Sequence, residues 1–472
     1  MKKRYVPLII LALIVLLGFG LRFYDLDKEN LWFDEGYTIL SINQDNIGGV
    51  IDQAEITETK PSVYFIILHL WSEIFGLSMF ALRFFSLLCG VISIILLYLL
   101  AKELFDKKVA ILSALLISIS LFDIIYSQEA RVFSFFTTLT ILSFFIFVKL
   151  IKGFVNKDSK KSSLFLYFFF GVVGAFLNAI HYFGLLIFLV QNIILLSLFY
   201  KKGTSLKRWF ISQLIIILLF IPFLPKFITK FFWYNNILIN IFINKWGLSS
   251  SVANLGIILF LIPIISLILT IFVVVRNWKK IVNFFFFINH NFLLLLVIIY
   301  FFLILIFVKS LYSPFFLTRY TLFLLPFLFV FFAYIISLTK KKLLRISVIV
   351  LIIILSFSSL QLYYQDITKE EWDNVSELIS LKEKKGEIIL FDSSSAIVPF
   401  DYYYQGKSKI MGLNTENNYS FPLLSSKGFW LILSHNYNDI DYYLEQAEKN
   451  LILDFNKTYK GIEVYHFSVM KG

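Results

Sequence analysis

The sequence predicts a polytopic α-helical membrane protein. It has about 11 transmembrane helices, interfacial helices in its first outer loop and a small C-terminal α/β extracytoplasmic domain. Hydrophobic residues make up 59% of the chain and charged residues 16%. Apolar runs of about 20 residues recur, the length that crosses hydrocarbon. After about Tyr363 the composition changes: 16 of the 31 acids lie there, among short alternating segments. This divides the chain into a membrane domain, 1–362, and an extracytoplasmic α/β domain, 363–472.

The spans, in order, fall near 5–22, 80–101, 109–125, 131–150, 163–180, 183–200, 209–225, 252–275, 291–308, 320–339 and 343–362. The first, within MKKRYVPLIILALIVLLGFG, has a basic start but no small-x-small cleavage pattern, so it reads as a retained helix. With the N-terminus cytoplasmic, the inner segments hold 22 of the 43 Lys and Arg and the outer loops of the membrane half hold 10. That is the positive-inside bias, and it places the C-terminal domain outside a plasma membrane. The net charge of +12 then faces anionic lipid headgroups, with no nucleic acid needed to explain it. The lone cysteine, Cys89, excludes an intramolecular disulfide framework.

The segment KPSVYFIILHLWSEIFGLS has a short apolar core, and counting it as a span would invert every later loop. It reads as a helix over 61–78 at the outer interface, with His69, Trp71 and Glu73 partly wet. In the C-terminal part, ITKEEWDNVSELISL reads as an amphipathic helix, EIILFD as a strand and FDYYYQGK as a helix end. GFWLILSHN reads as a strand, DIDYYLEQAEKN as a helix and GIEVYHFSV as a final strand.

The acids narrow the chemistry. No Asp or Glu occurs between Ser159 and Gln365, which argues against ion- or proton-coupled transport. LWFDEGYT places Asp34 and Glu35 together in the first outer loop, at the start of a short helix near Trp32. Neighbours on a helix point about 100° apart, so one carboxylate can work on a substrate atom while the other supports it. ETKPSVY carries Lys60, YSQEARVFSF carries Glu129 and Arg131, NAIHYFG carries His181 and LYSPFFLTRY carries Arg319. Each has a plain structural alternative: an acidic cap, an ion pair, snorkelling arginines and a hydrogen-bonded turn histidine. Together they put carboxylates, cations and a histidine on one membrane face. That set suits a sugar carried on a polyprenyl phosphate. The phosphate needs only cations (Lys60, Arg131, Arg319) as it leaves, and the acceptor needs one base, for which Asp34 is the candidate.

The same motifs, in order, carry a resemblance. LWFDEGYT, KPSVYFIILHLW, ALRFFSLLCGVISIILLYLLAKELF, SQEARVFSF, HYFGLLIFLVQN and RYTLFLLP resemble those of the GT-C glycosyltransferases of the protein O-mannosyltransferase and aminoarabinose-transferase type, the bacterial glycosyltransferase family 39 group. The resemblance covers about residues 5–340, and TKEEWDNVSELI…EIILFD fits the outer domain of many members. It implies Asp34 as catalytic base supported by Glu35. It also implies substrate contacts from Lys60, Tyr64, Glu129, Arg131, His181, Arg319 and Tyr320. Two departures stand out: Ser62 replaces the second proline of the family's Pro-Pro pair, and the second-loop acid is Glu129 within Gln-Glu-Ala-Arg. Some relatives bind a divalent metal near these acids. Glu129 and His181 are the conceivable ligands here, but no metal-spaced cluster is present, and no obligatory cofactor is expected.

The reading is an inverting hexosyl- or pentosyltransferase. Its donor is a polyprenyl-phosphate sugar, and its acceptor is a lipid, a glycan or a protein. Two alternatives stay open. A lipid-linked glycan ligase or polymerase would use pyrophosphate-linked donors, and a transporter or flippase would need two-sided access.

Overall fold

The computed structural model describes residues 5–58, 61–155, 164–202, 207–225, 229, 290–312, 318–366, 369–412, 428–434 and 451–469. The expected span at 252–275, the helix DIDYYLEQAEKN and Lys60 lie outside the described residues.

Ten of the eleven expected spans coincide with described helical segments. The first is α1 (Val6–Phe23), with Pro7 in its first turn. Three short helices follow in the first loop: α2 (Phe33–Ile42), α3 (Ile47–Thr57) and α4 (Val63–Phe75). Then come α5 (Met79–Leu104), α6 (Lys107–Ser118), α7 (Leu121–Ser127), α8 (Val132–Val155), α9 (Leu164–Ile180), α10 (Phe183–Lys202) and α11 (Lys207–Phe220). Further helices cover His290–Tyr312, Leu325–Leu338 (entered by a 3₁₀ turn, Thr318–Leu324) and Lys342–Gln365. Five described helices are long and apolar enough to cross a membrane, or six if the bent pair α6–α7 is one span. Side-chain caps set several starts. Ser78 accepts from Ala81 N–H at 3.3 Å, and Asp106 accepts from Lys108 and Val109 N–H at 2.7 and 2.9 Å.

Apolar side chains face both ways in this bundle. A continuous core runs through α5, α6, α8 and α9 and includes Leu97, Ile117, Phe144, Phe147 and Phe170. Leu8, Leu13, Leu16, Phe165, Ile217 and Leu351 are exposed, as expected of helices whose outer solvent is lipid. The window of Lys342–Gln365 is only 6% buried, so this helix runs along the rim.

Two local expectations change. The span at 109–125 is not one helix: α6 and α7 meet at 59°, broken at Ile119 and Ser120. The break frees main-chain carbonyls, and Arg22 collects them. Its guanidinium donates to Ser118 O at 3.1 Å, Ile117 O at 3.0 Å, Ser127 Oγ at 3.2 Å and Asp123 Oδ1 at 3.0 Å. Gly90 makes room for this arrangement, since a Cβ there would fall 2.2 Å from Ser127 Oγ. The second change is at His69, which is buried, not wet, with Nδ1 2.8 Å from Ile42 O. The short helix α4 is folded over α2 and α3, which closes that face.

After Gln365 the chain forms a five-stranded sheet: β1 (Ile388–Phe391), β2 (Lys409–Gly412), β3 (Phe429–Ser434), β4 (Leu451–Tyr459) and β5 (Ile462–Val469), in the order β2-β1-β3-β5-β4. The β1 pairings are parallel, and β5 is antiparallel to both β3 and β4. Every residue of β3 is buried, as befits a central strand covered on both faces. The helix Trp372–Lys382, expected from its periodicity, packs Trp372, Val375 and Ile379 on one face of the sheet. The sheet unit lies at the same end of the bundle as the first loop: Asn30 Nδ2 donates to Asp373 Oδ1 at 2.5 Å, and Leu31 N–H to Tyr403 Oη at 2.9 Å.

Candidate active site

The first turn of α2 sends its two acids into different surroundings. Glu35 is fully buried, and four donors meet its carboxylate. Arg83 Nε reaches Oε1 at 2.9 Å, Arg83 Nη2 reaches Oε2 at 2.8 Å, Ala130 N–H reaches Oε1 at 2.8 Å and Lys369 Nζ reaches Oε2 at 3.0 Å. Burial alone pushes this carboxyl up, but the charges of Arg83 and Lys369, with these hydrogen bonds, overturn that and hold it at about 2. Arg83 is itself fixed by the main-chain oxygens of Leu26, Glu29 and Asn30 at 3.2, 2.7 and 3.0 Å.

Asp34 keeps 16% of its side chain accessible. Its Oδ2 bonds Arg319 Nη1 and lies 3.9 Å from Arg131 Nη2. Arg319 is 18% accessible and stacks near Trp32 and Phe133, 5.7 and 5.8 Å from their ring centres. It stands in the 3₁₀ turn Thr318–Leu324, which also carries Tyr320. More than 280 residues separate Asp34 from Arg319 in the chain, and folding brings them into contact.

Arg131 was expected to face a lipid phosphate beside Glu129. The structure closes it off instead. Its Nη1 donates to Glu58 Oε1 at 2.5 Å, Thr38 Oγ1 at 2.8 Å and Asp34 O at 2.7 Å, and its Nη2 donates to Glu58 Oε2 at 3.3 Å. Arg131 thus clamps the main chain of Asp34, and Glu58 is the partner that spacing in the sequence did not reveal. Glu129, at the bend between α7 and α8, is buried, and its Oε2 has no hydrogen-bond partner among the described residues. Burial raises this carboxyl to about 7, with Glu35 and Asp34 adding to the rise and Lys369 and Arg131 opposing it.

His181 sits in the turn between α9 and α10, where Phe183 N–H donates to its Nδ1 at 3.2 Å. With Thr137, Phe133, Phe136 and Phe183 it lines a small cavity that Arg319 also borders. Tyr64 is buried in α4 with its ring 5.3 Å from that of Phe65. Of the residues singled out in the sequence, Asp34, Glu35, Arg131 and Arg319 gather around one turn, with Glu129 electrostatically coupled to the same acids. His181 and Arg319 line the same cavity. Arg83, Glu58, Lys369 and Trp32 were missed. Arg83 lies within ALRFFSLLCGVISIILLYLLAKELF and Lys369 within ITKEEWDNVSELISL, and neither segment by itself signals a contact with Glu35.

Among the described residues no three His, Cys, Asp or Glu side chains gather at ligand distance. Asp34 and Glu35 are each taken by cationic partners, and His181 Nδ1 already accepts a backbone hydrogen bond.

Residues 59–233 match the family model described as dolichyl-phosphate-mannose-protein mannosyltransferase. A 150-residue stretch is 32% identical to an uncharacterized protein of Aquifex aeolicus, a match spanning 30% of this chain and 29% of that protein. The fold is similar to that of ArnT from Cupriavidus metallidurans bound to undecaprenyl phosphate (TM-score 0.52, 12% identity, 99% of this chain and 98% of that one). It is also similar to the Archaeoglobus fulgidus oligosaccharyltransferase in complex with zinc and sulfate (TM-score 0.55, 13% identity, 98% and 73%). A further match is AglB of the same organism, bound to an inhibitory peptide and a dolichol phosphate (TM-score 0.52, 12% identity, 98% and 74%). The chain is a multi-pass membrane protein with the fold of the GT-C glycosyltransferases, and over residues 59–233 it carries the sequence pattern of the dolichyl-phosphate-mannose-protein mannosyltransferase family.

Proposed function

We propose that this protein is an inverting glycosyltransferase that moves a hexosyl or pentosyl unit from a polyprenyl-phosphate donor to an acceptor at the outer face of the plasma membrane. The observation that carries this reading is the Asp34–Arg319 pair. It is a partly accessible carboxylate and guanidinium at the edge of a cluster whose other charges are sealed. The undecaprenyl phosphate bound to ArnT and the dolichol phosphate bound to AglB support a donor of this class. The positive-inside bias supports the outer-face placement.

The chemistry follows from the two environments. The donor phosphate competes with Asp34 for Arg319, so donor binding frees the carboxylate as it neutralises the phosphate. Asp34 then takes the proton from the acceptor hydroxyl or amine. The acceptor atom forms its bond to the anomeric carbon as the bond from that carbon to the phosphate oxygen breaks. Polyprenyl phosphate leaves with its negative charge held by Arg319. One displacement inverts the anomeric centre. Glu35 takes no proton in this scheme; held at about 2, it stays ionised and anchors the turn. Lys60, which the resemblance also assigns to the phosphate, immediately precedes Pro61 in the sequence.

The test is sugar release from a panel of polyprenyl-phosphate sugars by wild type and by Asp34→Asn, with one pyrophosphate-linked oligosaccharide donor included. The reading expects a monosaccharide donor to be consumed by wild type and not by the variant. Failure to consume any polyprenyl-phosphate sugar overturns it, and selective use of the pyrophosphate donor returns the ligase reading.

A further inference from the structure

The C-terminal sheet unit grips the segment that bears the acids. Asn30 and Leu31 hydrogen-bond to Asp373 and Tyr403 of that unit. Gly36, the residue after Glu35, lies under the helix Ile397–Tyr403. A Cβ at Gly36 would come within 3.2 Å of Val398 Cγ1 and 3.4 Å of the Pro399 nitrogen. Lys369 makes a further contact, with Glu35 itself. Its side chain is 10% accessible, and its ammonium is 3.0 Å from Glu35 Oε2 and 6.0 Å from the centre of the Trp32 ring. Its own N–H donates to Glu29 Oε2 at 3.0 Å. A lysine is a flexible, strongly hydrated cation, and holding it this far from water is unfavourable unless the partner is fixed and charged.

We propose that Lys369 is a positioning residue for Asp34, through which the C-terminal unit completes the active site. Arg83 and Ala130 supply three of the four hydrogen bonds to Glu35, all from the membrane bundle. Lys369 supplies the fourth and the second positive charge, from the sheet unit. α2 is 10 residues long, too short to hold its own shape in water, so its orientation depends on what its first turn is tied to. Asp34 and Glu35 are consecutive, and fixing the rotation of one sets the direction of the other. With its Nζ engaged by Glu35, Lys369 acts on Asp34 through the helix and not on substrate.

This rests on the glycosyltransferase reading for its effect on rate, but not for its effect on α2. The experiment uses full-length Lys369→Met and Lys369→Arg in lipid nanodiscs. Turnover of the donor is measured together with hydrogen–deuterium exchange over Phe33–Ile42. A displaced base costs up to about 100-fold in rate, so Lys369→Met is expected to lower kcat by about 10- to 100-fold with the donor KM little changed. Exchange in α2 is expected to quicken by about 10-fold as the turn opens more often. Lys369→Arg keeps the charge and is expected to restore both. In a Glu35→Gln background, Lys369→Met is expected to add nothing further, because the two act as one unit. An unchanged kcat overturns the proposal. A raised KM at constant kcat also overturns it, since that marks a substrate contact. If the wild type consumes no polyprenyl-phosphate sugar, the activity reading falls, and the exchange measurement decides alone: unaltered exchange over α2 in Lys369→Met overturns the role given to Lys369.

Discussion

Arg22 and Arg319 both pair with an aspartate at the same end of the bundle, and they are built differently. Arg22 is wholly inaccessible, and five acceptors, including Asp123 and three main-chain oxygens, surround its guanidinium. Arg319 keeps 18% of its side chain accessible, and its aspartate keeps 16%. Near that aspartate, Trp32 Nε1 and Glu129 Oε2 are buried without hydrogen-bond partners among the described residues. The Arg22 cluster is closed because it repairs a broken helix, and a closed set of partners leaves nothing for a substrate. The Asp34 cluster is closed on its inner side by Arg83, Lys369 and Glu58 and open on its outer side. Incomplete satisfaction of buried polar groups is unfavourable for a fold, and it is where a ligand gains by completing the set.

The comparison can be broken most sharply at the sealed side. Arg83→Met leaves Glu35 buried with one cation fewer, and breaking a buried pair of this kind costs about 3–5 kcal/mol. Thermal unfolding in detergent is expected to show a large loss of stability for this variant, and an unchanged transition would mean that Glu35 is not a structural anchor. On the open side the outcome is reversed. Asp34→Asn is expected to unfold like wild type yet lose about 10²- to 10⁴-fold in turnover, the usual range for a general base. Parallel loss of stability and rate in that variant would put Asp34 on the structural side of the comparison.

A smaller effect is expected at Arg319, whose hydrogen bonds to a charged group contribute about 1.5–3 kcal/mol. Arg319→Gln is expected to weaken donor binding by about 10- to 100-fold in a titration with polyprenyl phosphate, with the fold intact. Equal binding would remove Arg319 from the phosphate site.

The finest distinction is in pH dependence. Glu35 has a folded value of about 2 against an ordinary 4.5, so its stabilisation is present above 4.5 and is lost as pH falls from 4.5 towards 2. Glu129 has a folded value of about 7, so the folded state favours its neutral form, and the protein loses stability as pH rises from about 4.5 to 7. Glu129→Gln is expected to flatten the upper part of the pH–stability curve and leave the acid limb in place. A curve identical to wild type would contradict the burial argument for Glu129.

Much of this was legible before folding. The alternation of long apolar runs with Lys-rich segments located ten described helical segments, because crossing a membrane imposes a length and a composition on each span independently of its neighbours. The pattern in TKEEWDNVSELI located the helix Trp372–Lys382, and EIILFD, GFWLILSHN and GIEVYHFSV located three strands. The break between α6 and α7 was not legible, because Ile119 and Ser120 carry no helix-breaking side chain and the bend is stabilised by Arg22 from another helix. The edge strands β2 and β4 also escaped notice, since each is held by pairing with one neighbour.

The site divides in the same way. The chain by itself determined which residues bear charge at the end of the bundle, and that consecutive acids on a helix must face different directions. Only the tertiary structure decided which acid is sealed and which is open. That depended on Arg83, Glu58, Lys369 and Arg319, which lie 23 to 335 positions from the two acids in the sequence. Whether an ionised group is anchored or available depends on the partners and the water left around it, and those are properties of three-dimensional packing that no local pattern encodes.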